Sequence, residues 1–288
     1  MSQTLALKSA QSEVRARKVR TGIINVLLTG YALVTLYPLF WLFTSAFKSN
    51  DDFYAKPFSL PTEWHLENFT RAWKVSAMGT SIINSFIVTV AAMALTLILG
   101  ALAAYILSRF QFRGRSFLMG LFLLGMLIPI HSTLVPLFIM MKKIHMLDTY
   151  AALILPYTAF ELSLAIFVVA AYMTSVPKEV EEAALIDGTG YWGIFWRIMF
   201  PLSIPALSTV AILAFLRFWN EFSFALVFIS KPGLKTLPLS LSVFATGYST
   251  DYKLTMAALS IAVIPTIVIY LIFQEQIMKG MVAGAVKG

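Results

Sequence analysis

The stretch 175–205 reads SVPKEVEEAALIDGTGYWGIFWRIMFPLSIP and lies between two long apolar runs. Pro177 suits the first turn of a helix, where its missing N–H is no loss, and the glutamates that follow favour a helix N-terminus. Gly188 and Gly190 allow a left-handed stop. The run 191–200 then predicts a second short helix that ends at the next proline. We therefore expect two short helices joined by a sharp turn.

The chain outside this stretch is strongly apolar. Of its 288 residues, 59% are hydrophobic and 12% are charged, and the mean hydropathy is +0.80. Soluble domains carry about 25% charged residues, so a chain with half that share must expose much of its surface to lipid. The same composition excludes a disordered chain. The absence of cysteine excludes a disulfide scaffold.

Long apolar segments set the expected fold class. A helix needs about 20 apolar residues to cross the hydrocarbon core of a bilayer. We predict an all-α polytopic membrane protein with six transmembrane helices. The six candidate spans are 22–47, 80–107, 116–141, 149–176, 200–229 and 254–273.

Basic residues predict how the chain is oriented. The net charge of +8 is assigned to orientation of the spans, so no nucleic-acid partner is expected. The basic tail 1–21 and the three arginines between spans two and three are expected in the cytoplasm. The charge-balanced loop 48–79 is then external, and the tail 275–288 is cytoplasmic. The loop 177–200 is also cytoplasmic but acidic, which needs a reason beyond topology.

The spacing within the loop is specific. Glu182, Ala183 and Ala184 are followed after three residues by Gly188, after nine more by Ile198, and then by Phe200 and Pro201. This resembles the EAA motif of ABC importer permeases, E-A-A-x3-G-x9-I-x-L-P, with phenylalanine in place of leucine. AYILSRFQFRGR at 104–115, FLRFWNEFSFAL at 215–226 and GMVAGAVKG at 280–288 agree. The resemblance covers nearly the whole chain and is strongest to the second permease of maltose-type sugar systems.

The resemblance implies a function and an assembly. The chain would have the type I ABC importer permease fold, with a permease domain at 80–274, five helices and the coupling loop 177–200, preceded by the extra helix 22–47. It would form half of a pathway for a sugar or oligosaccharide in the cell membrane of a prokaryote. Its partners would be a second, homologous permease, two copies of an ABC ATPase and an extracytoplasmic solute-binding protein. ATP and magnesium would bind the ATPase, so this chain would hold no cofactor and not be an enzyme.

Residues for ATPase docking are inferred from the same loop. Small side chains allow close approach to a partner, a glycine lets the chain turn, and a carboxylate can meet a basic group of the partner. The docking residues are expected to be Glu182, Ala183, Ala184, Asp187, Gly188, Ile198 and Pro201. No P-loop or H-E-x-x-H pattern is present, so no catalytic or metal residue is assigned.

A few polar residues interrupt the spans, where they often mark function. Glu161 either faces a cavity or pairs with a basic residue on another span. Arg217 and Glu221 are four residues apart and are expected to pair. The run Trp219-Asn220-Glu221 suits sugar hydroxyls and C–H faces, and His131 lies at an expected kink in span three. The candidate translocation-path residues are Trp219, Asn220, Glu221, His131 and Glu161.

Three other functions stay open at this point. The chain could serve an importer for glycerol phosphate or another polyol, or one for amino acids or peptides. It could also be a proton-coupled secondary transporter, with Glu161, His131 and Glu221 as a relay. That class often shows inverted repeats, which the sequence lacks, and it leaves the loop spacing unexplained.

Overall fold

The structure is a computed structural model, which describes the backbone of residues 2–244 and 251–285 and the side chains of 17–244 and 251–274. This part of the chain contains helices and no strand, which confirms the all-α prediction. The helices in chain order are α1 (Ser2–Ser45), α2 (Asn50–Ala55), α3 (Glu67–Val75), α4 (Met78–Arg109), α5 (Arg115–Gly125), α6 (Leu134–Lys143), α7 (Ala151–Ser175), α8 (Glu179–Ile186), α9 (Tyr191–Ile194), α10 (Phe200–Leu202), α11 (Ile204–Trp219), α12 (Ser223–Phe228), α13 (Leu237–Leu241) and α14 (Tyr252–Ala285). Short 3-10 helices cover Ile130–Thr133, Pro232–Leu234 and Ser242–Phe244, and a π-helical turn covers Phe195–Met199.

Four of these helices, α1, α4, α7 and α14, are long and apolar enough to cross a membrane. Two further spans exist only if each of two bent helix pairs counts as one crossing. The first pair, α5 with Ile130–Lys143, bends by 94°, and the second, Tyr191–Leu202 with α11, bends by 71°. The prediction of six transmembrane helices is therefore confirmed only if each bent pair is counted as one span. The bend in the first pair falls beside His131, where the kink was expected.

The predicted fifth span, 200–229, is not one helix. α11 ends at Trp219, and α12 begins at Ser223. The Glu221 carboxylate accepts the backbone N–H groups of Phe224 at 2.7 Å and Ala225 at 3.3 Å, so it caps α12. A carboxylate at this position satisfies donors that a new helix leaves unpaired. The apolar composition concealed this break.

α4 and α7 pack side by side in the same direction. Tyr150 donates its hydroxyl to Asn84, Thr158 donates to the carbonyl of Ala92, and Arg109 donates to the carbonyl of Val176, at sequence separations of 66, 66 and 67 residues. A constant separation means that both helices advance together. The chain between them must therefore return to its starting side, and the bent pair of α5 and α6 does this in one crossing.

Close contact between α4 and α7 depends on small residues. A Cβ atom at Gly100 would lie 2.8 Å from the Cβ of Ala165, which is closer than side chains approach. Ala101 and Ala104 are fully buried in the same core cluster as Val169. Small residues allow membrane helices to approach closely.

The ends of the chain are more helical than expected. The predicted tail 1–21 is continuous with the first span in α1, and α14 runs through most of the predicted tail 275–288 as far as Ala285. Residues 286–288, which belong to that tail, lie outside the described residues. In α1, no residue of the most apolar 18-residue window is buried.

Between α1 and α4, the segment 48–79 is held by Lys48. Its side chain is fully buried, and its ammonium group donates to the carbonyls of Lys56 at 2.8 Å and Pro57 at 3.0 Å. Asn68 donates its amide to the carbonyls of Ala46 and Lys48. Lys48 therefore closes a folded loop as well as ending the apolar run.

Candidate functional site: the α8 loop and a polar mid-span group

The loop 177–200 has the expected form of two short helices around a turn. α8 ends with the N–H of Gly188 bound to the carbonyl of Leu185 at 3.0 Å and the N–H of Thr189 bound to that of Ala184 at 2.9 Å. This pair of bonds is a Schellman motif, which needs a left-handed residue. Gly188 supplies it with φ of +81°. Gly190 was also expected to be left-handed, but its φ of −72° lies in the ordinary region.

A buried ion pair fastens α8 to α4. The Nε atom of Arg109 lies 2.6 Å from Oε1 of Glu181, and the two side chains are only 5% and 12% exposed. Tyr105 donates its hydroxyl to the other carboxylate oxygen at 3.2 Å. Arg109 also donates to the carbonyl of Val176 at the end of α7 at 2.8 Å. The loop is therefore fixed to the ends of both core helices.

These anchoring residues were not identified from the sequence. Its charge pattern assigns Arg109 to membrane orientation, and the motif in the loop points to Glu182 and not to its neighbour Glu181. The usable signal was an acidic loop opposite a basic link, since opposite charges at two adjacent ends of a helical bundle can pair. The partners could not be chosen from that signal alone, because sequence positions carry no distances between the two groups.

The structure separates the predicted docking residues into two groups. Glu182, Ala183, Asp187 and Gly188 are exposed on α8 and its turn, and Pro201 is exposed in α10. Ala184 is 8% exposed and belongs to this chain's own core cluster, against which the half-buried Ile198 packs. Ala184 thus allows α8 to lie close to this chain's own core.

The open side of the loop is apolar as well as acidic. Ile186 is 87% exposed and Trp192 is 66% exposed. The adjoining π-helical turn instead buries Phe195 and Met199. Large exposed apolar side chains beside a rigid turn are typical of a surface that binds another protein.

The second polar group lies within the spans. Arg217 Nη1 lies 2.7 Å from Glu161 Oε2, so the predicted pair of Arg217 with Glu221 is wrong. Of the two alternatives expected for Glu161, the structure shows the second, in which it pairs with a basic residue on another span. Glu221 instead accepts the hydroxyl of Tyr157 at 2.6 Å. Because α7 and α11 are antiparallel, these two contacts lie about one helical turn apart, between α7 and the C-terminal end of α11.

The structure does not gather all five predicted path residues at one surface. Trp219 is buried and stacks on Phe215, with ring centroids 5.6 Å apart, and Glu161 is also buried. Asn220 and His131 are exposed, and the Asn220 amide donates to the carbonyl of Leu216 at 2.8 Å. No hydrogen bond among the described residues joins His131, Glu161 and Glu221, so the proton-relay alternative has no continuous chain of groups here. That part of the chain also holds no group of three or more acidic or histidine residues able to bind a metal ion.

Comparisons with known proteins agree with the loop-based interpretation. The chain is 40% identical over 263 residues to the probable ABC transporter permease protein YurM of Bacillus subtilis (strain 168), covering 91% of this chain and 87% of that protein. It is 35% identical over 272 residues to the diacetylchitobiose uptake system permease protein NgcG of Streptomyces coelicolor, covering 94% and 90%. A chain of a bacterial ABC transporter involved in the import of the acidic polysaccharide alginate has a TM-score of 0.76 and 25% identity, over 88% of this chain and 95% of that one.

A family match covers the elements that form the α8 loop and the polar group within the spans. Residues 96–282 match the family described as binding-protein-dependent transport system inner membrane component. This range contains α7, the α8 loop and α11. The chain belongs to the family of binding-protein-dependent transport system inner membrane components.

Proposed function

We propose that this chain is a permease subunit of an ATP-driven ABC importer for a sugar or oligosaccharide. It forms half of the translocation pathway, and a second, homologous permease forms the other half. An extracytoplasmic solute-binding protein delivers the sugar. Two copies of a separate ATPase bind ATP and magnesium, so the chain itself catalyses no hydrolysis. The family and the permease relatives support this assignment.

One observation carries the proposal: the α8 loop is rigidly anchored and presents an acidic, apolar surface. A helix that only rests on the anionic cytoplasmic leaflet is usually basic on its polar face. This loop instead exposes Glu182, Asp187 and Ile186. A protein partner with a basic rim and an apolar groove fits that surface better than lipid does. The ATPase is the partner that an importer requires.

The anchoring of α8 supports a coupling role. Movement of a docked ATPase would act on Glu181, which binds Arg109 and Tyr105 of α4. Arg109 in turn holds the end of α7 through the carbonyl of Val176. Since α4 and α7 pack tightly along their length, the loop and both helices would move as one body.

The proposal includes an orientation. The loop 177–200 and both ends of the chain, 1–21 and 275–288, lie in the cytoplasm, and 48–79 lies outside. The tail 275–288 is proposed to contact the ATPase, because it would lie on the same side of the membrane as the docking loop. Single cysteines in a chain with none of its own allow each segment to be located with an impermeant thiol reagent.

Replacement of exposed loop residues tests the docking role. The Ile186→Asp and Glu182→Lys variants, each in a tagged chain, should lose the copurifying ATPase and ATP-driven sugar uptake while keeping the second permease. Leu60→Asp, at a residue that is 61% exposed in the segment 48–79, is the matched control and should keep all three. Retention of ATPase and uptake by both loop variants would show that docking occurs elsewhere.

A further inference from the structure

We infer that Arg217 and Asn220 line the translocation pathway near mid-membrane, and that Glu161 neutralises Arg217 so that this half of the pathway suits uncharged glycans. The inference rests on the proposed transport function. It adds the residues that face the substrate and the charge class of the substrate.

The ion pair lies close to the middle of the membrane. α7 has 25 residues, from Ala151 to Ser175, and Glu161 is the eleventh of them. At about 1.5 Å per residue, Glu161 is roughly 15 Å from one end of the helix and 21 Å from the other. The hydrocarbon core is about 30 Å thick. Transporters commonly bind their substrates at this depth.

Exposed polar groups at this depth would carry a large free-energy cost if they faced lipid. The Arg217 side chain is 51% exposed, although its partner Glu161 is 1% exposed. Asn220, which follows the last residue of α11, is exposed as well. Charged residues within membrane spans usually face a water-filled cavity or another protein, because lipid does not solvate them. The surface at the end of α11 that carries Arg217 and Asn220 is therefore directed away from lipid.

The end of α11 favours a cavity over a packed interface. Residues 220–222 are not helical, although they lie inside a predicted span. Backbone of this kind is tolerated at membrane depth where it is buried in protein or lines a water-filled space. Asn220 and Phe222 are both exposed in this segment. A water-filled space thus explains the polar face and the broken helix together.

The balance of charge indicates the class of glycan. The six predicted spans contain only three acidic or basic residues that carry charge at neutral pH, Glu161, Arg217 and Glu221, with a formal sum of −1. Arg217 is already paired, so no free cation is offered to a carboxylate or sulfonate. Its remaining N–H groups and the oxygen of the Asn220 amide can bind hydroxyl groups. This half of the pathway therefore suits an uncharged glycan.

Thiol labelling tests the inference independently of transport. The Asn220→Cys variant is assembled with its second permease, ATPase and solute-binding protein in vesicles and treated with a cationic or an anionic water-soluble methanethiosulfonate reagent. Val34→Cys is the matched control, because Val34 is 73% exposed on the apolar α1. We expect modification at Asn220→Cys to be at least about tenfold faster, because the reactive thiolate forms in water and is suppressed in apolar surroundings. The transported sugar with ATP should slow it.

The charge of the reagent tests the role of Glu161. With the ion pair intact, the formal sum of −1 should favour the cationic reagent. The ratio of cationic to anionic reaction rates should therefore be higher than the ratio for a free thiol in solution, and it should fall at high salt. Adding Glu161→Gln should raise the anionic-to-cationic rate ratio about fourfold, the effect of one unit charge roughly 10 Å away in water. The salt dependence in Asn220→Cys alone gives the sign of the local charge even if the double variant fails to assemble.

Each result supports or overturns a defined statement. Modification as slow as at Val34→Cys would place this face against lipid or the second permease. An anionic preference in the parent variant, or an unchanged ratio with Glu161→Gln, would contradict the neutralising role. Sugar uptake by the unmodified chain is measured in matching vesicles. If uptake is absent, the proposed transport function fails, whereas uptake with negative labelling rejects only this inference.

Discussion

Two arginine–glutamate ion pairs in the described part of the chain have the same chemistry and different surroundings. In the first, both Arg109 and Glu181 are buried, at 5% and 12% exposure. In the second, Glu161 is almost fully buried while Arg217 is half exposed. The first pair closes a junction between a loop and two helix ends. The second holds an arginine at a surface.

The exposure of the two partners determines the role of each ion pair. A pair with both partners buried locks two elements, and either truncation leaves an uncompensated charge inside the protein. A pair with one exposed partner is asymmetric, because water can solvate the arginine but not the glutamate. Such a pair keeps a charged group available at a surface and cancels its net charge. The following predictions test this contrast.

The largest effect is expected from charge reversal in the buried pair. Arg109→Glu places two carboxylates together, so the loss of stability should reach at least about 3–5 kcal/mol, the cost of breaking a buried pair. We expect α8 to detach, which limited proteolysis of the loop and copurification of the ATPase would both report. The exposed Arg113→Glu, in the same link, is the control. The double variant Arg109→Glu/Glu181→Arg should recover part of the loss, and no difference between the variants at 109 and 113 would contradict the anchoring role.

The mid-span pair should respond unequally to loss of its two partners. Arg217→Met leaves a buried carboxylate unpaired and should cost about 3 kcal/mol. Glu161→Gln leaves a solvated arginine and an amide that can still accept its hydrogen bond, so it should cost about 1 kcal/mol. Thermal unfolding in detergent measures both. At the other pair, Arg109→Met and Glu181→Gln should differ by less, and equal losses at positions 161 and 217 would remove the asymmetry.

A tyrosine binds a carboxylate at or beside each pair, and these two hydrogen bonds should rank by length. Tyr157 donates to Glu221 at 2.6 Å, whereas Tyr105 donates to Glu181 at 3.2 Å. Tyr157→Phe should cost about 1.5–2 kcal/mol and Tyr105→Phe about 1 kcal/mol, since bonds to charged groups are stronger when well formed. The midpoint of thermal unfolding provides the ranking. Tyr37→Phe, at an exposed position of α1, should have no effect, and the reverse order would reject the ranking.

The smallest effect is expected where a carboxylate binds backbone donors in place of an arginine. Asp148 accepts the N–H groups of Lys231 at 2.8 Å and Ser230 at 2.6 Å, and these bonds hold the pKa of Asp148 below its usual value. Any stabilisation is therefore complete above the ordinary aspartate pKa of about 3.9 and is lost only as pH falls through the lowered value.

Amide hydrogen exchange at residues 230 and 231 can follow this contact. Once the exchange rates are corrected for intrinsic pH dependence, protection should be constant from about pH 5 to 8, above the usual pKa. Asp148→Asn should reduce it slightly, since asparagine tolerates the φ of +56° found at this position. A loss of protection near neutral pH would show that another group controls this contact.

Sequence reasoning succeeded where the signal was local. The turn at Gly188 follows from residues within one helical turn, and the helical class follows from composition. It failed where the partner was distant in sequence: Arg217 pairs with Glu161, 56 residues away, and not with Glu221, which lies beyond the end of α11. The inward position of Ala184 likewise depends on elements that come together only in the folded chain. The capping role of Glu221 is local, but the apolar composition around it concealed the helix break. The docking residues and orientation remain predictions that the proposed variants test.

The parallel arrangement of α4 and α7 has a consequence for biosynthesis. Neighbouring antiparallel helices can pair as soon as the second is made, but α4 must wait while about 40 further residues enter the membrane. Its Asn84 side chain obtains the Tyr150 hydroxyl only when α7 arrives, and the carbonyls of Gly233 and Lys235 later still. One of the earliest helices to leave the ribosome is thus among the last to have its polar groups satisfied. Assembly of this permease core is a late event in translation, and a nascent chain that stops before α7 leaves an unpaired amide in the bilayer for quality control to recognise.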